Sequence, residues 1–234
     1  MEIPISNRAK LILAADDFGL DKKTNERILE LVSLGKIDRV AIMVRGKMTE
    51  QEIDELNRSG VHLDIHLDIS RVMHDTYKPR NGVFLRILEF IFKYIFGITK
   101  TSAVHMSWMD QIEDFHKKFG KYPDGLNSHE HVHFFPRYFH VARILQEHYS
   151  IPYMRFGNTG LLEHKNPVAK VLQILHKVNQ KSGHAQYVVS SDFLVSFDWI
   201  KDIKGFLANM PQGTIEVVCH PRRDEEYTAL LENF

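Results

Sequence analysis

The sequence predicts an α/β protein: about seven mostly parallel strands curled into a barrel-like sheet, with helices outside. Short apolar runs alternate with helical patterns from end to end, the signature of strands joined by helical crossovers. Glycine and proline punctuate the junctions, at Gly35, Gly60, Gly120, Pro123, Pro136, Pro152 and Gly213. The 234 residues suit one large α/β domain. No repeat, linker or low-complexity tract divides them, so residues 1–234 read as a single domain.

The strand candidates, in order, are KLILAA (10–15), RVAIMV (39–44), GVHLDIHLDI (60–69), DGLNSH (124–129), PYMRF (152–156), QYVVS (186–190) and TIEVVCH (214–220). Each is a short apolar or alternating run closed by a polar or turn residue. Helical patterns fall near 21–34, 50–58, 83–96, 105–119, 137–149, 166–181, 197–208 and 223–233. The most apolar stretch, VFLRILEFIFKYIFGI (83–98), is interrupted by Arg86, Glu89 and Lys93 and falls short of the roughly 20 residues a spanning helix needs. It reads as a core-packed amphipathic helix, with an apolar surface for a lipid or an oligomer partner as the alternative. A homodimer is therefore among the expected partners.

Composition excludes several classes. Lys plus Arg equals Asp plus Glu at 30 each, which leaves no broad electrostatic footprint for nucleic acid. The doublets Lys117-Lys118 and Arg222-Arg223 are too short to change that. A lone cysteine, Cys219, rules out an internal disulfide and suits a reducing compartment. The opening MEIPISNRAK has no apolar signal core, so a cytoplasmic location is expected. There is no GxGxxG, no P-loop and no paired CxxC.

In parallel-sheet folds chemistry gathers at the carboxyl ends of the strands. Four such ends carry His or Asp: Asp16-Asp17, then His66 and Asp68, then His129, His131 and His133, then His220. Two adjacent acids ending an apolar strand point to metal-assisted hydrolysis, with helix capping as the plain alternative. Neighbours on a regular strand face opposite sides, so Asp16 and Asp17 can share a site only at the turn. In GVHLDIHLDIS, His62, Asp64, His66 and Asp68 share one strand face. In SHEHVHFFP, alternate histidines of an extended chain stand roughly 6.6 Å apart, too far for one ion to take all three. A Cys219–His220 dyad is disfavoured because adjacent strand residues point apart.

These clusters, in this order, resemble the YdjC-like carbohydrate deacetylases, the family of the chitooligosaccharide deacetylase. The matching pieces are ADDFGLDKKTN with Asn25, DIHLDIS, NSHEHVH, IPYMRF with Arg155, and EVVCHP with Glu216. The resemblance implies a (β/α) barrel-like fold and one divalent ion, Mg or Zn, held by Asp17, His66 and His129. It implies Asp16 as general base and His220 as general acid or substrate contact, with Asn25 and Arg155 around the substrate and His131 and His133 lining its cleft or supporting the metal ligands from behind. The activity implied is hydrolytic removal of an N-acetyl group from an amino sugar or glycoconjugate. A metal-dependent phosphoesterase and a non-catalytic sugar- or metal-binding barrel are the rival readings. Four positions depart from the family pattern: Arg39 for a small residue, Ile65 for glycine, Ser70 for threonine and Asn127 for aspartate.

Overall fold

The computed structural model describes residues 10–70, 72, 90, 93–94, 96–162, 166–183 and 185–234. Its strands are β1 (Leu11–Phe18), β2 (Arg39–Ile42), β3 (His62–Leu67), β4 (Gly125–Ser128), β5 (Tyr153–Met154), β6 (Phe193–Ser196) and β7 (Ile215–Cys219). The helices are α1 (Lys22–Ser33), α2 (Glu50–Ser59), α3 (Thr101–Phe119), α4 (Pro136–His148), α5 (Pro167–Lys181), α6 (Ile203–Ala208) and α7 (Asp224–Asn233), with 3-10 turns at His129–Phe134 and Phe197–Trp199. The strands form one sheet in the order β5-β4-β3-β2-β1-β7-β6. Every ladder in it is parallel. The sheet curls into a half-barrel, and its two edges touch at one parallel bridge between Asn158 and Phe193.

Local chemistry sets the helix starts. Asp21 accepts from the Thr24 N–H, Asn166 from Val168 and Asp202 from Gly205, while Thr49 and Glu52 form a reciprocal capping box. Pro136 and Pro167 open α4 and α5, where a missing N–H costs nothing. The outer face of the sheet is apolar: Leu13, Val40, Leu63, Ile65 and Val217 are fully buried under the helices.

The inner face is a ladder of charge. Arg39 makes a two-point hydrogen bond to Asp64, at 2.8 and 2.6 Å, and its guanidinium lies 4.1 Å over the Tyr153 ring. Tyr153 donates to Glu216 at 2.6 Å, and Arg155 joins Glu216 to Asp16. Room for the Arg39–Asp64 pair comes from Gly125, where a Cβ would overlap Asp64 Oδ1 and Arg39 Nη2. So the arginine that departs from the family pattern fills space that a side chain at 125 would otherwise take.

Two sequence expectations need correction. The sixth strand is Phe193–Ser196, not 186–190; Tyr187 and Val189 are 76% and 64% exposed. Both runs have strand-like composition, and pairing with β7, which sets Phe193 against Ile215, selects the second. The expected helix 197–208 is broken into a 3-10 turn and α6, because Asp202 starts a new helix by capping Gly205. The apolar segment 83–98 lies largely outside the described residues. Among those residues no helix is long and apolar enough to cross a membrane.

Arg39→Ala leaves Asp64 buried and unpaired, and stability should fall by about 3–5 kcal/mol. Replacing both members by leucine should recover most of that loss. Urea denaturation of the wild type, the single and the double variant checks both expectations.

Candidate active site

The end of β1 settles how two neighbouring acids reach one place. Ala15 pairs with Val40 but Phe18 pairs with Ile42, so β1 carries one extra residue, a bulge. Asp17 occupies it with φ 71°, a left-handed conformation uncommon for a non-glycine residue. Asp16 and Asp17 thus both serve the inner, carboxyl-end face of the sheet. Gly19 follows at φ 98°, and its N–H donates to Asn25 Oδ1 at 2.7 Å. The Asn25 amide then donates to the Lys47 carbonyl at 2.9 Å. Asn25 is therefore a buried clamp that ties the turn after the acids to the loop after β2.

Asp17, His66 and His129 converge. Asp17 Oδ1 lies 3.1 Å from His129 Nδ1 and 3.4 Å from His66 Nε2, and the two imidazole nitrogens are 3.4 Å apart. Ligands bound at about 2.0–2.1 Å around a tetrahedral ion stand roughly 3.3 Å from one another. One carboxylate oxygen and two imidazole nitrogens at this spacing fit a single divalent ion. His66 Nδ1 donates to Asn127 Oδ1 at 2.5 Å, which leaves its Nε2 lone pair for the ion. The asparagine at 127 thus still orients His66.

Charge within the cluster follows its geometry. Burial disfavours ionised Asp17, but hydrogen bonds from His129 and His66 outweigh it and hold the carboxyl well below its usual range. Burial likewise disfavours charged His129, but its bond to Asp17 and the Asp17 charge lift it to about 9.

Behind the cluster, Arg155 is fully buried and grips Asp16 through two hydrogen bonds of 2.7 Å, while its Nε donates to Glu216 at 2.6 Å. Burial would raise the Asp16 pKa, yet the Arg155 charge, helped by His66, brings it down to about 2. His66 Nδ1 is 4.0 Å from the same carboxylate.

The three histidines of the 129–133 block part company because Glu130 and His131 both take φ 54° inside the 3-10 turn. His129 joins Asp17. His133 is fully buried between Ser128 Oγ (2.6 Å) and the Arg155 carbonyl (2.8 Å), and burial pushes its pKa down to about 3. His131 keeps a buried Nδ1 with no hydrogen-bond partner, and burial together with the Arg155 charge disfavours its protonation. His220 Nδ1 likewise has no hydrogen-bond partner; it lies 3.9 Å from Glu226 Oε2, to which the His220 backbone N–H donates at 2.6 Å.

A family profile described as YdjC-like protein matches residues 10–232. The chain belongs to the YdjC-like family. Among its relatives, a carbohydrate deacetylase of Halalkalibacterium halodurans is 25% identical over 224 residues, covering 93% of this chain and 86% of that one. One of Clostridium beijerinckii is 23% identical over 91% of this chain and 81% of its own length. A human carbohydrate deacetylase is 24% identical over 63% of this chain and 48% of its own. A crystal structure from Enterococcus faecalis, of a protein named for cellobiose-phosphate cleavage, superposes with TM-score 0.61 at 20% identity over 90% of this chain and 80% of its own, a likeness of fold.

Several site residues carry no role in the sequence reading. Asn127 registers there only as a lost charge, and Tyr153 and Glu216 have no assigned function. Their signal is period-two placement on the inner face of β4, β5 and β7, which is readable only once the sheet's curl is known.

With His129 lifted to about 9, the metal-free protein holds a proton there at pH 8, and an incoming ion must displace it. Zinc titration at pH 8 should release about one proton per site, and lower pH should weaken binding. Heats measured in buffers of different ionisation enthalpy read the proton count. Asn127→Ala should weaken the affinity by about 10- to 100-fold.

Proposed function

We propose that this protein is a metal-dependent hydrolase that removes the N-acetyl group from an amino sugar. The observation that carries the reading is Asp16, held ionised beside a three-ligand cluster to which its own chain neighbour contributes. Relatives named carbohydrate deacetylase, matched over most of both chains, support the reaction class. Asp17, His66 and His129 would hold the ion. Two imidazoles favour zinc, while the carboxylate also admits magnesium. The chemistry a bound divalent ion supplies is activation of water and polarisation of the amide carbonyl.

The remaining steps belong to the side chains. Asp16 accepts the proton of the attacking water, aimed by Arg155 and Glu216. As the C–N bond breaks, His220 donates to the leaving nitrogen, so the products are acetate and the free amine. His131, with its partnerless Nδ1, is the candidate contact for a polar group of the substrate, since an unmet buried polar atom is costly without a ligand. Asn25, His133 and Arg155 act through other residues: each already spends its polar atoms on the protein. A two-ion phosphoesterase would want a second ligand cluster; among the described residues only one group has the spacing. Among the described residues no helix is long and apolar enough to cross a membrane, and a cytoplasmic location goes with this reading.

Asp16→Asn should cut acetate release from N-acetylated sugars by about 10²- to 10⁴-fold while the ion stays bound in equal stoichiometry. Near wild-type turnover would remove Asp16 as the base. Phosphate release from sugar phosphates, with two ions per chain, would replace the deacetylase reading by the phosphoesterase one.

A further inference from the structure

On the outside of the fold, α5 turns an apolar flank to solvent. Its buried side, Ala169, Leu172, His176 and Asn179, holds it to the protein, with Asn179 donating to the Phe134 carbonyl at 2.7 Å and His176 packed on Phe156. Yet Val168, Val171, Ile174 and Val178, spaced three and four apart and so along one stripe, are 44%, 45%, 62% and 44% exposed. Beyond the helix the chain passes Gly183 to Tyr187 and Val189, which with Ile144 of α4 line a groove of about 620 Å³. Seven of the twelve large apolar side chains exposed among the described residues fall in this region.

Charge says what covers the stripe. Lys170, Lys177 and Lys181 are all exposed on α5, on the side next to Ile174, and none makes an ion pair among the described residues. From Asn166 to Ser191 the sequence has no Asp or Glu, although the chain as a whole is neutral. The groove adds Arg143 and His140 against a single acid, Glu147. A second copy docked by the same face would set lysines against lysines. Protein interfaces are depleted in lysine and anchored by aromatic and arginine side chains set in pockets; Tyr187 and Arg143 line the neighbouring groove, but the α5 stripe itself carries only valine and isoleucine beside its lysines. Aliphatic residues beside lysines, whose stems can lie on the apolar surface while their heads reach phosphate, are the pattern of a helix lying in a lipid interface.

We propose that α5 is a membrane-docking helix: the Val168–Val178 stripe enters the headgroup region of an anionic bilayer, and Lys170, Lys177 and Lys181 pair with lipid phosphates. The site is independent of the catalytic reading, and its test requires no turnover. The full chain, mixed with vesicles of equal parts phosphatidylcholine and phosphatidylglycerol, should co-sediment, and should stay in the supernatant with phosphatidylcholine alone. Raising NaCl from about 0.05 to about 0.5 M should release it. Each lysine contributes about a fivefold factor to binding, so the Lys170→Glu/Lys177→Glu/Lys181→Glu variant should lose at least about 100-fold. Ile174→Glu should also abolish sedimentation. All four substitutions are at exposed positions, and unchanged circular dichroism and melting certify the fold. Equal binding to both vesicle types, or binding that survives these substitutions, overturns the proposal. So does absence of binding to either vesicle, which would leave an acidic protein as the partner, or a dimer in solution that Ile174→Glu dissolves.

Discussion

The site depends on one interaction, the fork of Arg155 between Asp16 and Glu216. All three groups are buried on the inner face of the sheet, so the loss of one leaves the charge of the others uncompensated. A guanidinium presents its donors in a rigid plane, so engaging two carboxylates fixes the rotamers of both. Asp16 is thereby aimed, and with it the bulge that brings Asp17 to His66 and His129. The Arg155 carbonyl also receives His133 Nε2, which ties the 3-10 turn carrying His129 to the same residue. Side-chain and backbone atoms of one arginine thus tie together the ends of β1 and β4, from which Asp17 and His129 arrive.

Charge counting on the inner face gives the cluster its appetite for a cation. Asp16, Asp17, Asp64 and Glu216 set four carboxylates against the two guanidiniums of Arg39 and Arg155. In a medium of low dielectric a deficit of two charges is expensive. The metal-free chain softens it by protonating His129, and one divalent ion would cancel it. On this view the lower pair, Arg39 and Asp64, is neutral filling: it keeps the deficit localised at the mouth, where an ion can reach it.

The sequence made the strand ends readable and left their couplings dark. Asp16-Asp17, His66, His129 and His220 stand out because polar residues ending apolar runs in a parallel sheet have few plain explanations, and the structure brings Asp17, His66 and His129 together. What one strand's alternation cannot show is which residue of another strand it faces. Asp64 and His66 read as equivalent members of a polar face; one meets Arg39 and the other Asn127. His129, His131 and His133 read as alternating along an extended chain, but two left-handed residues turn each imidazole to a different task. The sixth strand was misplaced by a few residues because Gln186–Ser190 and Phe193–Ser196 have the same local character, and only the β7 register distinguishes them.

The grip of Arg155 raises a tension with base catalysis, since a carboxylate held at about pKa 2 is a reluctant proton acceptor. Glu216 eases it. The Glu216 carboxylate shares the guanidinium and receives the Tyr153 hydroxyl as well, so the arginine's charge is divided rather than spent wholly on Asp16. Orientation survives that sharing, because the two bonds to Asp16 remain. On the proposed reading, Asp16 is an ionised carboxylate fixed in direction by Arg155, and it takes a proton only once charge develops on the attacking water.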